Sequence, residues 1–108
     1  MNFIVEDKSK KKVIRCSIEK LDSMNAPELK SQFLHLSKTG SSSFILDLSN
    51  VRYCDSSGLS ALLVGNRIAK ENKGEFTIFG LQPAVEKIIA ISQLDSVLHI
   101  VKNEDKAL

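Results

Sequence analysis

Residues 46–59, LDLSNVRYCDSSGL, hold the junction that decides the fold. A nearly continuous apolar run at residues 44–48 leads into it, as is typical of a strand covered on both faces. After it, apolar residues at three-and-four spacing predict an amphipathic helix over residues 57–73, which Gly74 ends. The junction is therefore a loop between a buried strand and a helix.

Strands and helices are predicted to alternate on both sides of this loop. We expect strands at residues 3–5, 13–18, 76–79 and 97–101, and helices at residues 26–39, 83–91 and 103–108. The first helix is expected to start at a capping residue, Asn25. The order β-β-α-β-α-β-α-β predicts an α/β fold with one mixed, mostly parallel sheet of four to five strands. Its N-terminal strand is antiparallel, and helices pack on the sheet.

Length and composition indicate one domain, residues 1–108, with one core, because the chain has 108 residues of which 43% are hydrophobic. A formal net charge of +2 is too small to indicate nucleic acid or an anionic membrane as the main partner. No apolar stretch approaches the roughly 20 residues that direct membrane insertion needs. The N-terminus also lacks the basic start and apolar run of a signal peptide, so we expect a cytoplasmic protein.

The sequence predicts no metal site, no cofactor and no enzymatic activity. Cys16 and Cys54 have no CxxC spacing, and His35 and His99 do not fall beside them, so the thiols are expected to be small buried or half-buried side chains. Both histidines are expected to be structural. There is no G-x-S-x-G motif to present a serine nucleophile, and no Walker or dinucleotide-binding loop.

The acid, two hydroxyls and glycine of Asp55-Ser56-Ser57-Gly58 have two interpretations. Each of the first three residues is a good helix N-cap, which would explain the residue types without any function. The same position favours an anion, since free amides and the helix dipole would stabilise a phosphate on Ser56 or Ser57. Both interpretations stay open from physical chemistry alone.

Three segments of the sequence carry a resemblance to a known family. They are residues 46–59, residues 21–29 (LDSMNAPEL) and residues 74–81 (GEFTIFGL). Together they resemble the STAS domains, named for sulfate transporters and anti-sigma-factor antagonists. The Asp-Ser-Ser-Gly-Leu core is specific because it follows an apolar strand and an Asp-Leu-Ser segment.

The resemblance implies an anti-sigma-factor antagonist, a switch rather than an enzyme. In its unphosphorylated form such a domain binds an anti-sigma factor that is also a serine kinase, which frees the sigma factor; phosphorylation ends the binding and a phosphatase restores it. Ser56 matches the phosphoacceptor, Ser57 its neighbour, and Asp55 a residue that shapes the loop. Asp22 would lie in the neighbouring loop, facing the kinase. The family's last helix runs several turns, so residues 103–108 suggest a truncated one.

We expect partner contact through the loop from Tyr53 to Gly58 and through the exposed start of the next helix, including Leu59, Ser60 and Leu63. Leu59 could equally belong to the core. The alternative function is an unmodified STAS interaction or scaffold subunit, such as one of a lipid-transport or stress-signalling complex, in which the same loop docks a partner without phosphorylation.

Overall fold

Strands and helices alternate along most of the chain in the structure, a computed structural model that describes residues 1–108. The strands are β1 Phe3–Lys8, β2 Lys11–Cys16, β3 Lys20–Leu21, β4 Phe44–Asp47, β5 Tyr53–Cys54, β6 Phe76–Phe79 and β7 His99–Val101. The helices are α1 Ala26–Lys38, α2 Ser56–Glu71, α3 Pro83–Ile91 and α4 Glu104–Ala107, with a 3-10 turn at Leu94–Ser96. None of these helices has the length and apolar character needed to cross a membrane.

Five strands form one sheet in the order β1-β2-β4-β6-β7. β1 is antiparallel to β2, and every other pairing in this sheet is parallel. The register aligns Ile14, Leu46, Ile78 and Ile100 across the four parallel strands. This arrangement confirms the predicted mixed, mostly parallel sheet. The carboxyl ends of the parallel strands all lie at the same end of the sheet.

One face of the sheet carries the main core, into which α1 and α2 pack. The Phe33 ring of α1 lies 5.7 Å from the ring of Phe44 and 5.5 Å from that of Phe76, the second contact being edge-to-face. Gly65 lets α2 approach this cluster, because a Cβ atom there would lie 2.7 Å from the Phe33 ring. The helix that carries the candidate loop is therefore anchored along its length.

The opposite face of the sheet is covered by the short helix α4. Ala107 packs against Val13, Ile45 and Phe79, all of which are buried, so the prediction that β4 is covered on both faces is confirmed. Glu104 fixes this helix by accepting hydrogen bonds from Arg15 at 2.6 and 3.0 Å. These bonds, with a further one donated by Lys8, lower the pKa of Glu104 to about 2.

Several sequence-based boundaries differ from the structure by one to three residues; β2, for example, spans Lys11–Cys16 and not residues 13–18. β1 continues to Lys8 because a two-residue turn, Ser9 and Lys10, has the left-handed conformation that suits a tight hairpin. The last strand begins at His99, two residues later than predicted, because the amides of Val97 and Leu98 donate to the Leu94 carbonyl of the preceding 3-10 turn. β3 and β5 were not predicted, and they pair with each other in a separate two-stranded sheet. Two residues per strand are too few to show a period.

Candidate functional site

The β3–β5 pair brings two loops together at one end of the domain. Leu21 pairs with Cys54 in parallel register, and the Asp55 amide donates to the Leu21 carbonyl at 3.2 Å. Because the two strands run in the same direction, the loops that follow them lie side by side. One loop starts with Asp22 and the other with Asp55. The structure thus places Asp22 in the loop beside the one that starts with Asp55.

Asp55 caps α2. Its carboxylate accepts a hydrogen bond from the Gly58 amide at 3.0 Å, and its carbonyl accepts one from the Leu59 amide at 3.0 Å. Ser56 is the first residue of the helix, one position earlier than predicted, and its side chain is exposed with no hydrogen bond inside the chain. Capping and phosphate acceptance are thus compatible, because Asp55 caps while the Ser56 hydroxyl stays free.

The neighbouring loop is held by its own side chains. Asp22 accepts a hydrogen bond from the Met24 amide at 3.0 Å. Asn25 accepts one from the Asp22 amide at 3.0 Å and donates one to the Lys20 carbonyl at 2.8 Å. The prediction that Asn25 caps α1 is wrong as far as its side chain is concerned, because that side chain is used to tie the loop to β3. The loop is thus tied to β3 by the Asn25 side chain and to α1 by the Ala26 amide, which donates to the Asp22 carbonyl at 2.8 Å.

Two residues predicted at the contact surface are buried. Leu59 is 8% exposed and belongs to the main core, so the core alternative for Leu59 is the correct one. The helical twist turns it inward while Ser60 stays exposed. Gly58 is also buried, and a Cβ atom there would lie 2.6 Å from the Leu21 carbonyl oxygen and 2.5 Å from the Cys54 sulfur. Its small size lets α2 lie close to β3.

Exposed apolar side chains flank the two loops. Tyr53 is 54% exposed, Leu63 is 37% exposed, and Met24 is 88% exposed. Tyr53 and Leu63 were predicted at the contact surface, and their exposure leaves them available for it. Met24 was missed, although an apolar residue inside an otherwise polar loop could have indicated it. Large exposed apolar groups beside polar loops are common at protein-binding surfaces.

Two shallow grooves adjoin the loops. The first has a volume of about 440 Å³ and is lined by Lys20, Leu21, Asp22, Tyr53, Cys54 and Asp55. The second has a volume of about 420 Å³ and is lined by Ser23, Ala26, Pro27, Lys30, Ser56, Ser57 and Ser60. Sequence reasoning missed Lys30, which is far from Ser56 along the chain and reaches the groove because α1 packs beside α2.

The thiols stay protonated at neutral pH. Burial, with a smaller effect of the neighbouring Asp55 charge, raises the pKa of Cys54 to about 12. Burial also raises the pKa of Cys16 well above its usual range. The prediction that both are buried or half-buried is confirmed. No three metal-ligating side chains come together, and neither His35 nor His99 lines the grooves beside Ser56. The site presents the exposed Ser56 hydroxyl and a surface for contact.

The fold and this site together define a class of protein: a small α/β module that presents an exposed serine at a helix start, beside a second, acidic loop. The chain belongs to the STAS domain family, whose family model matches residues 3–107. The resemblance noted in the sequence is thereby confirmed, and so is the fold class.

Two relatives are similar in sequence. The anti-sigma F factor antagonist of Paenibacillus polymyxa is 31% identical over 64 residues, which span 59% of this chain and 55% of that protein. The anti-sigma-B factor antagonist of Staphylococcus aureus is 25% identical over 101 residues, which span 93% of this chain and 94% of that protein. Antagonists of anti-sigma factors therefore match this chain both locally and over nearly its full length.

Solved structures show the same fold. An anti-sigma factor antagonist from Mycobacterium paratuberculosis aligns with a TM-score of 0.85 and 25% identity, covering 97% of this chain and 88% of that one. SpoIIAA, another such antagonist, aligns in its unphosphorylated form with a TM-score of 0.82 and 20% identity, covering 97% and 91%. Its phosphorylated form, from Bacillus, aligns with a TM-score of 0.74. At 20% identity the SpoIIAA match carries the fold alone.

Proposed function

We propose that this chain is an anti-sigma-factor antagonist whose binding to its partner is switched by phosphorylation of Ser56. In the unphosphorylated form it binds an anti-sigma factor that is also a serine kinase, and the sigma factor is released. Phosphorylation of Ser56 ends the binding, and a cognate phosphatase restores it. The observation that carries the proposal is the Ser56 hydroxyl, exposed and free of hydrogen bonds at the start of α2.

The comparisons support this choice of pathway. Relatives that match the chain in sequence are antagonists of anti-sigma factors, and a fold neighbour exists in unphosphorylated and phosphorylated forms. We place the protein in the bacterial cytoplasm, where transcription is regulated, and take residues 1–108 as one binding domain that works without a cofactor of its own. The kinase supplies the nucleotide and its metal.

The proposed contact surface combines both loops and the first turns of α2. Its exposed or half-buried members are Asp22, Tyr53, Asp55, Ser56, Ser57, Ser60 and Leu63. Gly58 and Leu59 act from beneath, because they hold α2 against β3 and the core. Met24 extends the apolar part of the surface. Aromatic side chains and methionine are enriched at protein interfaces, which is consistent with this assignment.

The switch would work by charge. A phosphate adds about 1.5 to 2 negative charges at neutral pH. Asp55 directly precedes Ser56, and Asp22 starts the neighbouring loop, so the added charge would join two carboxylates at the same end of the domain. An interface that fits the unmodified loop would then contain both an extra bulky group and like charges, and like charges brought together at an interface cost several kcal/mol.

A binding measurement with matched variants tests the proposal. The partner is the anti-sigma-factor kinase encoded in the same genome, and calorimetry compares the wild-type chain with Ser56→Glu, Ser56→Ala and, as a control on the same helix face, Ser60→Glu. We expect Ser56→Glu to weaken binding by at least about tenfold more than Ser60→Glu does. Equal affinities of the wild-type chain and Ser56→Glu would contradict the switch and favour an unmodified scaffold subunit.

A further inference from the structure

The groove beside Ser56 contains one basic side chain, Lys30. The groove is lined by four serines, Ala26 and Pro27 in addition to this lysine, and no acidic side chain lines it. Lys30 comes from α1, whereas Ser56 lies on α2. The positive charge in the groove therefore comes from a different helix from the one that carries Ser56.

Lys30 has no partner of its own in the unmodified chain. It takes part in none of the ion pairs, and it is half-buried. The other basic residues near the two loops are occupied differently. Arg52 pairs with Glu19 at 3.3 Å, and the Lys20 ammonium lies 6.0 Å above the Tyr53 ring, in the other groove. Lys30 is thus an unpaired positive charge beside an unpaired hydroxyl.

A phosphate on Ser56 would need such a cation. The carboxylate of Asp55 lies one residue before the phosphate, and that of Asp22 lies in the loop alongside, so both would repel it. An ammonium supplies three hydrogen-bond donors and a full positive charge, and the hydroxyls of Ser57 and Ser60 line the same groove. These groups can satisfy phosphate oxygens on the side that faces α1.

We propose that Lys30 is the counter-ion of phosphorylated Ser56, holding the phosphate in the groove between α1 and α2. This inference rests on the proposed function, since it names the residue that binds the phosphate after Ser56 has been phosphorylated. It gives Lys30 no role in the unmodified form. The phosphorylated loop would then stay ordered against α1, and the released partner would meet a fixed negative group.

Phosphorus NMR tests the ion pair directly. Phosphoserine is installed at position 56 during translation, so that no kinase is needed, and the phosphate is titrated with pH in otherwise wild-type protein, in Lys30→Gln and in Lys30→Arg. Lys38→Gln, an exposed lysine in the last turn of α1, is the matched control. Asp22 and Asp55 are present in every variant, so their effect on the phosphate cancels.

An ion pair favours the doubly charged phosphate and lowers its pKa. We therefore expect the phosphate pKa to be higher in Lys30→Gln than in the wild-type background by about half a unit or more. Lys30→Arg should restore the low value, and Lys38→Gln should leave it unchanged. A phosphate pKa that is the same in the wild-type background and in Lys30→Gln would overturn the inference.

The test separates this inference from the function on which it rests. A Lys30-dependent phosphate pKa in the installed phosphoprotein supports the counter-ion even if cells never phosphorylate Ser56, which would refute the proposed function alone. If Ser56 is phosphorylated in cells but the phosphate pKa is the same with and without Lys30, only the proposed counter-ion role of Lys30 is refuted.

Discussion

The loop around Ser56 and the cluster around Arg15 use polar side chains in opposite ways. The Arg15 guanidinium donates to three carboxylates at 2.6 to 3.1 Å, those of Glu104, Asp47 and Glu6. Its charge is therefore neutralised inside the chain. At the loop, the Ser56 hydroxyl is free and half of the Tyr53 side chain faces outward. The cluster holds α4 to the sheet, whereas the loop keeps groups available for another molecule.

The comparison is sharpest within α2, where buried and exposed leucines lie one turn apart. Leu59→Asp should unfold most of the protein, because an unpaired charge in the core costs about 4 kcal/mol or more. Leu63→Asp should keep the fold and lose only partner binding. Chemical denaturation followed by circular dichroism measures the first effect, and calorimetry with the partner measures the second. A folded Leu59→Asp chain that fails to bind would move Leu59 to the contact surface.

The next largest loss of stability is expected from a variant that blocks the close approach of α2 to β3. Gly58→Ala would place a Cβ atom 2.6 Å from the Leu21 carbonyl oxygen, a backbone atom that cannot move aside by rotating a side chain. We expect a loss of about 1–3 kcal/mol in the free energy of unfolding. Ser60→Ala, at an exposed position of the same helix, is the control. Equal stabilities of the two variants would mean that the loop does not depend on this contact.

Weakening the cluster should affect stability and leave binding intact. Glu104→Gln is expected to cost about 1–2 kcal/mol near neutral pH, reduced from the value for a buried pair because Glu104 is partly exposed. Since its pKa is lowered from 4.5 to about 2, the stabilisation is complete above about pH 4.5 and is lost as the pH falls towards 2. The stability difference from wild type should shrink over that range in denaturation experiments.

An undiminished difference at pH 2 would contradict the ion-pair account of this cluster. Arg15 stays charged throughout the titration, because its hydrogen bonds to Glu104 and to the other carboxylates raise its pKa further. Glu86→Gln, on the exposed face of α3, provides the matched carboxylate control.

The smallest expected effect is the difference in stability between variants of the capping residue Asp55 and of the proposed phosphoacceptor Ser56. Asp55→Ala removes the hydrogen bond to the Gly58 amide and should cost about 1 kcal/mol. Ser56→Ala removes no hydrogen bond and should stay within about 0.5 kcal/mol of wild type. Thermal unfolding of the two variants measures the difference. A larger loss for Ser56→Ala would mean that Ser56, and not Asp55, holds the start of the helix.

The order of elements was predictable from sequence because each long helix has an apolar period of its own and the central strands are short apolar runs bounded by turn residues. The position of Ser56 followed from the same reasoning, since the residues on both sides of the junction have clear patterns. What could not be predicted depends on contacts between distant residues. The β3–β5 pair is too short for a period, the burial of Leu59 depends on the phase of the helix against the sheet, and Arg15 meets Glu104 only after the chain has folded.

The central claim is that Ser56 is a phosphorylation switch, and mapping phosphate on the native protein tests it most directly. The protein is purified from its own cells, under growth and under stress, and analysed by intact mass and peptide mapping beside a Ser56→Ala variant. We predict one phosphate, on Ser56, that is absent from the variant. Finding no phosphate under any of these conditions, or finding it at another residue, would contradict the account.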